Sequence, residues 1–311
     1  MHPKHRQSGL DDELQGWFAA ERNRVGKKVA EMGSVPVSRQ LLKRGCTNES
    51  RNRVWSNALG VDQARCAIEF ESLLGEVDRL ELLIDDLVHL DVQSTALDAN
   101  FFPFEDPLDS CLMAFTRDSA ISSGCITNKD QGDFPESHLP FPPCGVVPFR
   151  GLVFYAAPLC YLFNEDAEIY GNFKALYTKY FCRLHHISSD SRDILGLSKM
   201  FEDLLQAQDP HLFFHFIQIG VQPLRIAFNW IFYAFCGYLE IDQVLILWDR
   251  IIGYDSLEVL PVLAASIFLF RSANLMEAED EEAVLAVFED ASRIKVVPLL
   301  QHFFFLRDDP D

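Results

Sequence analysis

His211 and His215 stand four residues apart in a segment of helical pattern, the spacing that sets two imidazoles on one helix face as a zinc site requires. Leu212 occupies the place where metal-assisted hydrolysis needs a glutamate, so a satisfied or surface histidine pair is the expected reading. His185 and His186 are adjacent; on a helix they point in different directions and cannot easily share one metal. The eight cysteines are never closer than 14 residues and form no CxxC pair, which predicts reduced thiols packed as small hydrophobes. A Cys–His nucleophile could still assemble in space, but no local signature supports one. GxSxG, GxGxxG and P-loop patterns are absent, so hydrolase, dinucleotide and phosphate-cradling chemistry have no anchor. No metal or cofactor is expected.

The chain has 311 residues, 49% hydrophobic and 23% charged, a balance that specifies a folded globular protein with a sizeable core. Its net charge of −19 repels phosphate backbones, so nucleic acid is not expected as a partner. The charge is uneven: residues 1–65 carry 12 basic and 7 acidic side chains, residues 66–311 carry 15 and 39. Stretches free of charged residues reach only 14 residues, short of the roughly 18 to 20 that cross a bilayer, so no transmembrane segment is expected. The opening MHPKHRQSGLDDELQ has no apolar run, which predicts no secretory leader and a cytoplasmic protein.

The elements that must position any site are helices. Phe70, Leu73, Leu74, Val77, Leu80, Leu83, Ile84 and Leu87 follow spacings of three and four and predict one amphipathic helix. The same periodicity predicts helices over 169–184, 194–206, 212–219, 224–239, 241–251, 257–274 and 281–294, and strand alternation is nowhere sustained. Pro210 and Pro223 fit helix starts; Asp242 and Gly253 fit the N-cap and C-cap of the helix between them. The segment 118–148, rich in Ser, Gly, Asp and Pro, reads as a long mobile loop. The aromatics Phe213, Phe214, Phe216, Phe228, Trp230, Phe232, Tyr233 and Phe235 lack basic neighbours and read as core. The acidic run 277–282 reads as a solvated turn and helix start, and the single Trp248-Asp249 pair does not make a propeller.

Four segments fall in one order along residues 40–300. RNRVWSNALG places Arg51 and Trp55 four apart; VHLDVQST contains Asp91, Ser94 and Thr95; PFRGL carries Arg150 and Gly151 ahead of AAPL. A late segment from Gln222 to Ile251 holds Trp230, Phe235, Leu239, Leu245, Trp248 and Asp249. Together these resemble the TBC domain, the all-helical module of Rab GTPase-activating proteins. The resemblance implies a multi-helix all-α fold, with residues 40–305 as the TBC-like domain and residues 1–39 as an N-terminal helical extension, helical over 10–32.

It also implies a chemistry in which an Arg and a Gln are inserted into the nucleotide site of a Rab. The guanidinium neutralises charge that develops during phosphoryl transfer, and the carboxamide holds the attacking water. The family's Arg motif has the form I-x-x-D-x-x-R-T, and Ser94 stands at its Arg; from Cys66 to Cys111 the only Arg or Lys is Arg79, off the motif. The Gln motif has the form Y-x-Q-G-M, and Arg150 stands at its Gln, the nearest glutamines in sequence being Gln131 and Gln206. Asp91, Thr95 and Gly151 match. The expected function is therefore a Rab-directed protein of vesicle trafficking, a GTPase-activating regulator by resemblance rather than an enzyme with its own substrate, weak or non-catalytic, and recruited to membranes through its partner. The other reading is a helical interaction scaffold with no GTPase-activating role.

Overall fold

The computed structural model describes residues 16–97, 101–125, 142–289 and 294–305, and no strand occurs among them. In chain order the helices are α1 (Gly16–Met32), α2 (Val35–Leu42), α3 (Asn48–Leu59), α4 (Gln63–Val77), α5 (Asp85–Ala96), α6 (Glu105–Arg117), α7 (Ser119–Gly124) and α8 (Asp166–Lys179). They continue with α9 (Ile194–Gln208), α10 (Pro210–Gln218), α11 (Pro223–Phe232), α12 (Ile241–Tyr254), α13 (Val259–Phe270), α14 (Ser272–Leu275), α15 (Glu281–Phe288) and α16 (Val296–Phe305). Tight 3-10 turns occupy Leu152–Tyr155, Ala157–Tyr161 and Phe181–His185. The all-α class expected from periodicity is what the chain adopts, and none of these helices is long and apolar enough to cross a membrane. Described residues of 25–39 and 48–183 form one compact unit; those of 16–24, 40–47 and 184–305 form a second.

The first unit is built on α6 and α8. Leu108, Cys111, Leu112 and Phe115 of α6 are fully buried, and the Phe115 ring meets Phe173 at 5.0 Å and Tyr177 edge-on at 4.8 Å. Asp62 caps α4 by accepting from the amides of Ala64 and Arg65. Asp118 caps α7 and pairs with Lys174 of α8, which also reaches Glu69 of α4 at 2.6 Å.

The single helix expected through Phe70 and Leu87 is two helices. Residue 77 ends α4, and the turn at 78–84 is held from outside: the buried Arg117 guanidinium donates to both oxygens of Asp85 and to the Leu80 carbonyl at 2.7 Å. Asp85 in turn accepts the Leu82 amide at 2.8 Å. A buried, bidentate ion pair outweighs continuation of the apolar stripe, and Leu83 is left in solvent. The expected loop at 118–148 also begins differently, because α7 occupies its first residues; 126–141 lies outside the described residues, as do 10–15 of the expected N-terminal helix.

The second unit is centred on α13, which is buried on almost every side, and on Trp230. That indole stacks on Tyr238 at 4.3 Å and meets Phe288 edge-on at 5.2 Å. The helix expected over 224–239 ends at Phe232, because Ala234 and Phe235 take left-handed φ values of 47° and 64°. That conformation costs roughly 1–2 kcal/mol per non-glycine residue. The Trp248 indole N–H offsets part of it by donating to the Ala234 carbonyl at 3.0 Å.

Pro210 and Pro223 open α10 and α11 as expected, and Asp280 caps α15. The expected caps of α12 are not its caps. Asp242 lies inside the first turn and Asp255, at φ 57°, ends the helix. Gly253 is interior, where an added Cβ would stand 2.5 Å from the Lys43 backbone nitrogen, so the glycine serves close approach of the chain and not termination. The helices expected over 169–184 and 257–274 each finish in a separate short turn. Phe214, expected in the core, is exposed.

Candidate functional site

Helix α5 and the turn after Pro148 are joined by one buried carboxylate. Asp91 Oδ1 accepts the Gly151 amide at 2.5 Å and Oδ2 accepts the Val153 amide at 3.0 Å. Gly151 sits at φ 89°, a left-handed conformation that lets the chain turn into the 3-10 segment and present its amide to Asp91. Burial pushes the Asp91 carboxyl above the usual carboxylate range; the two backbone amides and the nearby Arg150 charge pull it back only in part. Thr95, one turn on along the same face, is buried as well.

The two residues that flank this joint are exposed. Ser94 faces solvent, and its hydroxyl donates to the Asp91 carbonyl at 2.8 Å, a bond back onto its own helix. Arg150 is exposed one residue before the Gly151 amide, close enough to act on the Asp91 carboxyl. The positions singled out from sequence as Ser94 and Arg150 are thus brought to one place, through Asp91 and Gly151.

Beside them lies a residue that motif reading passed over. Gln93 is exposed and makes no hydrogen bond to a described residue; it lines a polar cavity of about 410 Å³ with His89, Glu105, Asp106, Asp109 and Ser110. His89 Nδ1 lies 2.6 Å from Asp109 Oδ1 at its wall. The signal available in the sequence was a glutamine next to the motif's Arg position. Along the outer face of α5, Leu87, Leu90, Ser94 and Leu97 follow spacings of three, four and three, and all are exposed.

The other motif residues support the scaffold. In the first unit Arg51 is buried and bonded to Asn48, with Trp55 fully buried one turn on. In the second, Trp230 and Trp248 are core, and Asp249 accepts the Cys46 amide at 2.9 Å with its carboxylate fully buried. His215 Nε2 bonds the Ala278 carbonyl at 2.9 Å while His211 is exposed, and no cluster able to hold a metal occurs among the described residues. His186 meets Asp193 at 2.8 Å, and burial drives the neighbouring His185 down to about 4. All eight cysteines are free and seven are buried; burial pushes the Cys144 and Cys160 thiols up to about 12, far from a nucleophile's range.

The Rab-GTPase-TBC domain model matches residues 147–276, a stretch that includes Arg150 and Gly151 and begins after α5. The human protein TBC1 domain family member 19 is 41% identical over 315 residues, covering 96% of this chain. The chain spans 60% of that relative's length. A TBC domain-containing protein kinase-like protein of Dictyostelium discoideum is 29% identical over 135 residues, covering 42% of this chain and 13% of its own. Among solved structures, the Chlamydomonas flagellar RabGAP TBC domain superposes with TM-score 0.62 at 16% identity, covering 92% of this chain and 95% of that one. The Ypt/Rab-GAP domain of Gyp1p gives 0.64 at 13%, covering 90% and 91%. At those identities the two structures establish the shared all-helical fold.

Proposed function

Because this chain belongs to the TBC domain family, we propose that it is a Rab-directed protein that holds a GTP-loaded Rab over the Asp91–Gly151 joint and accelerates hydrolysis weakly or not at all. The observation that supports this reading is that joint: a buried Asp91 carboxylate ties α5 to the turn at Gly151, and the motif resemblance assigns the exposed Ser94 and Arg150 beside it to the finger positions. An arginine finger is worth about 10³ to 10⁵ in rate. A serine hydroxyl bonded back to Asp91 is neutral and too short to neutralise a phosphoryl group. At the other position a guanidinium has five donors and no acceptor, so it cannot accept the hydrogen bond by which a carboxamide holds water in line. In this reading residues 40–305 form the TBC-like domain, residues 1–39 an N-terminal extension, and the protein acts in the cytoplasm on membranes where its Rab resides.

The test is single-turnover GTP hydrolysis by a panel of Rab proteins with and without stoichiometric amounts of this chain, alongside pull-down in GTP-analogue and GDP states. Nucleotide-dependent capture with hydrolysis near the intrinsic rate is the expected result. Acceleration by three decades or more would overturn the weak-activity claim, and acceleration abolished by Arg150→Ala would give Arg150 the role of a displaced finger. Absence of capture across a broad panel would leave the scaffold reading.

A further inference from the structure

Building on the Rab reading above, we propose that the outer face of α5 is the ridge on which the GTPase docks, and that the acidic border of this ridge selects GTPases whose apolar contact patch is framed by lysine or arginine. Leu87, Leu90 and Leu97 lie along one face at 45%, 62% and 89% exposure, and Leu83, in the turn four residues before Leu87, is 91% exposed. Single exposed leucines are ordinary, but four aligned over one helix and its entry form a patch of the kind that marks a contact surface. Ser94 sits within the row, between Leu90 and Leu97, and the Asp91 joint brings the Arg150 turn to the neighbouring face. An occupant of the ridge therefore lies over both finger positions.

Charge decides which occupant. Between Leu80 and Thr116 the chain has no lysine or arginine, while Glu81, Asp86, Glu105 and Asp106 are exposed. Glu105 and Asp106 line the same polar cavity as Gln93 and His89 of α5, which sets acidic side chains beside that helix. A second copy would set this border against itself, and an anionic lipid surface would meet the same repulsion. A GTPase with an apolar patch and basic flanks buries the leucines and neutralises the border. The border acts mainly on association rate and partner choice, the leucines on how long the complex lasts.

The experiment measures association and dissociation of the full chain on Rab proteins loaded with a non-hydrolysable GTP analogue, at low and at physiological salt. Leu90→Asp is expected to weaken binding about tenfold or more, and Leu90→Ala, which keeps helix propensity, to act in the same direction. Glu105→Lys with Asp106→Lys is expected to slow association about tenfold at low salt and to flatten its salt dependence. All three variants should melt like the parent, because these side chains are exposed. Wild-type affinity in both Leu90 variants, with a Rab still bound, would overturn this proposal and leave the Rab reading intact; no Rab bound by the parent would overturn both. A parent that sediments as a dimer, and becomes a monomer in Leu90→Asp, would make the ridge a self-interface and overturn the choice of occupant.

Discussion

Replacing Ser94 by Arg and Arg150 by Gln in one chain puts the residues of the resembled motifs at two exposed positions, and so tests the proposed finger assignment. Folding should tolerate both changes. Ser94 is exposed; its replacement forfeits one hydroxyl bond to the Asp91 carbonyl, worth about 1 kcal/mol, and gains a few tenths from the better helix propensity of arginine. Arg150 is exposed too, and its loss removes a favourable charge beside Asp91, whose two amide bonds remain. The gain in chemistry is far larger. An arginine finger supplies about 10³ to 10⁵ in rate, which corresponds to roughly 4–7 kcal/mol of barrier. The assay is single-turnover hydrolysis on the Rab that the parent captures best, with the parent, each single variant and the double variant. Acceleration by the double variant of about three decades over the parent, with GTP-dependent affinity unchanged, is expected. A double variant that folds, binds the same Rab and still leaves hydrolysis at the intrinsic rate would refute the assignment of residues 94 and 150 to the finger positions.

Asp91→Asn leaves one of the amides of Gly151 and Val153 facing an N–H₂ group, an unmet buried donor costing about 1–3 kcal/mol; a lowered denaturant midpoint, and weaker Rab capture through displacement of the 150 turn, are expected. Gly253→Ala forces a methyl to 2.5 Å from the Lys43 backbone nitrogen, so a destabilisation of about 1–3 kcal/mol should appear in thermal melting. His185 is held neutral by burial, with its pKa lowered to about 4. The stability this contributes is fully present above about pH 6.5 and is lost as pH falls from there toward 4; His185→Gln should flatten that part of a stability-versus-pH curve, and an unchanged slope would show that other groups set it.

Helical class was legible because apolar spacings of three and four recur around 70–87 and through much of 169–288, and because Pro210 and Pro223 mark real starts. What could not be read were the interruptions. The break at 78–84 depends on Arg117, more than 30 residues away from Asp85 in sequence, and the break after Phe232 depends on the Trp248 indole N–H donating to the Ala234 carbonyl. Local periodicity carries no information about either partner. The same holds for Gly253, whose neighbour across the packing is the backbone at Lys43. The motif resemblance singled out Asp91 and Gly151, two residues 60 apart that the structure joins by a hydrogen bond. Leu83 and Leu87, read as members of one apolar stripe, prove exposed once the turn at 78–84 is known.

Burial separates the two kinds of residue at this joint. Asp91, Thr95 and Gly151 are buried or bonded to the backbone, and changing them disturbs the fold. Ser94, Gln93 and Arg150 are exposed, and the fold is nearly indifferent to what stands there. Chemistry can therefore be lost from such a domain without loss of stability or of the docking face, because the leucines of α5 and their acidic border do not depend on the finger side chains. On the proposed reading, a chain that keeps the joint and the ridge while carrying Ser94 and Arg150 holds a GTPase more than it hurries it. The ridge variants and the finger variants should accordingly separate: Leu90→Asp should weaken capture of the Rab about tenfold or more, and Ser94→Arg with Arg150→Gln should raise hydrolysis without tightening capture.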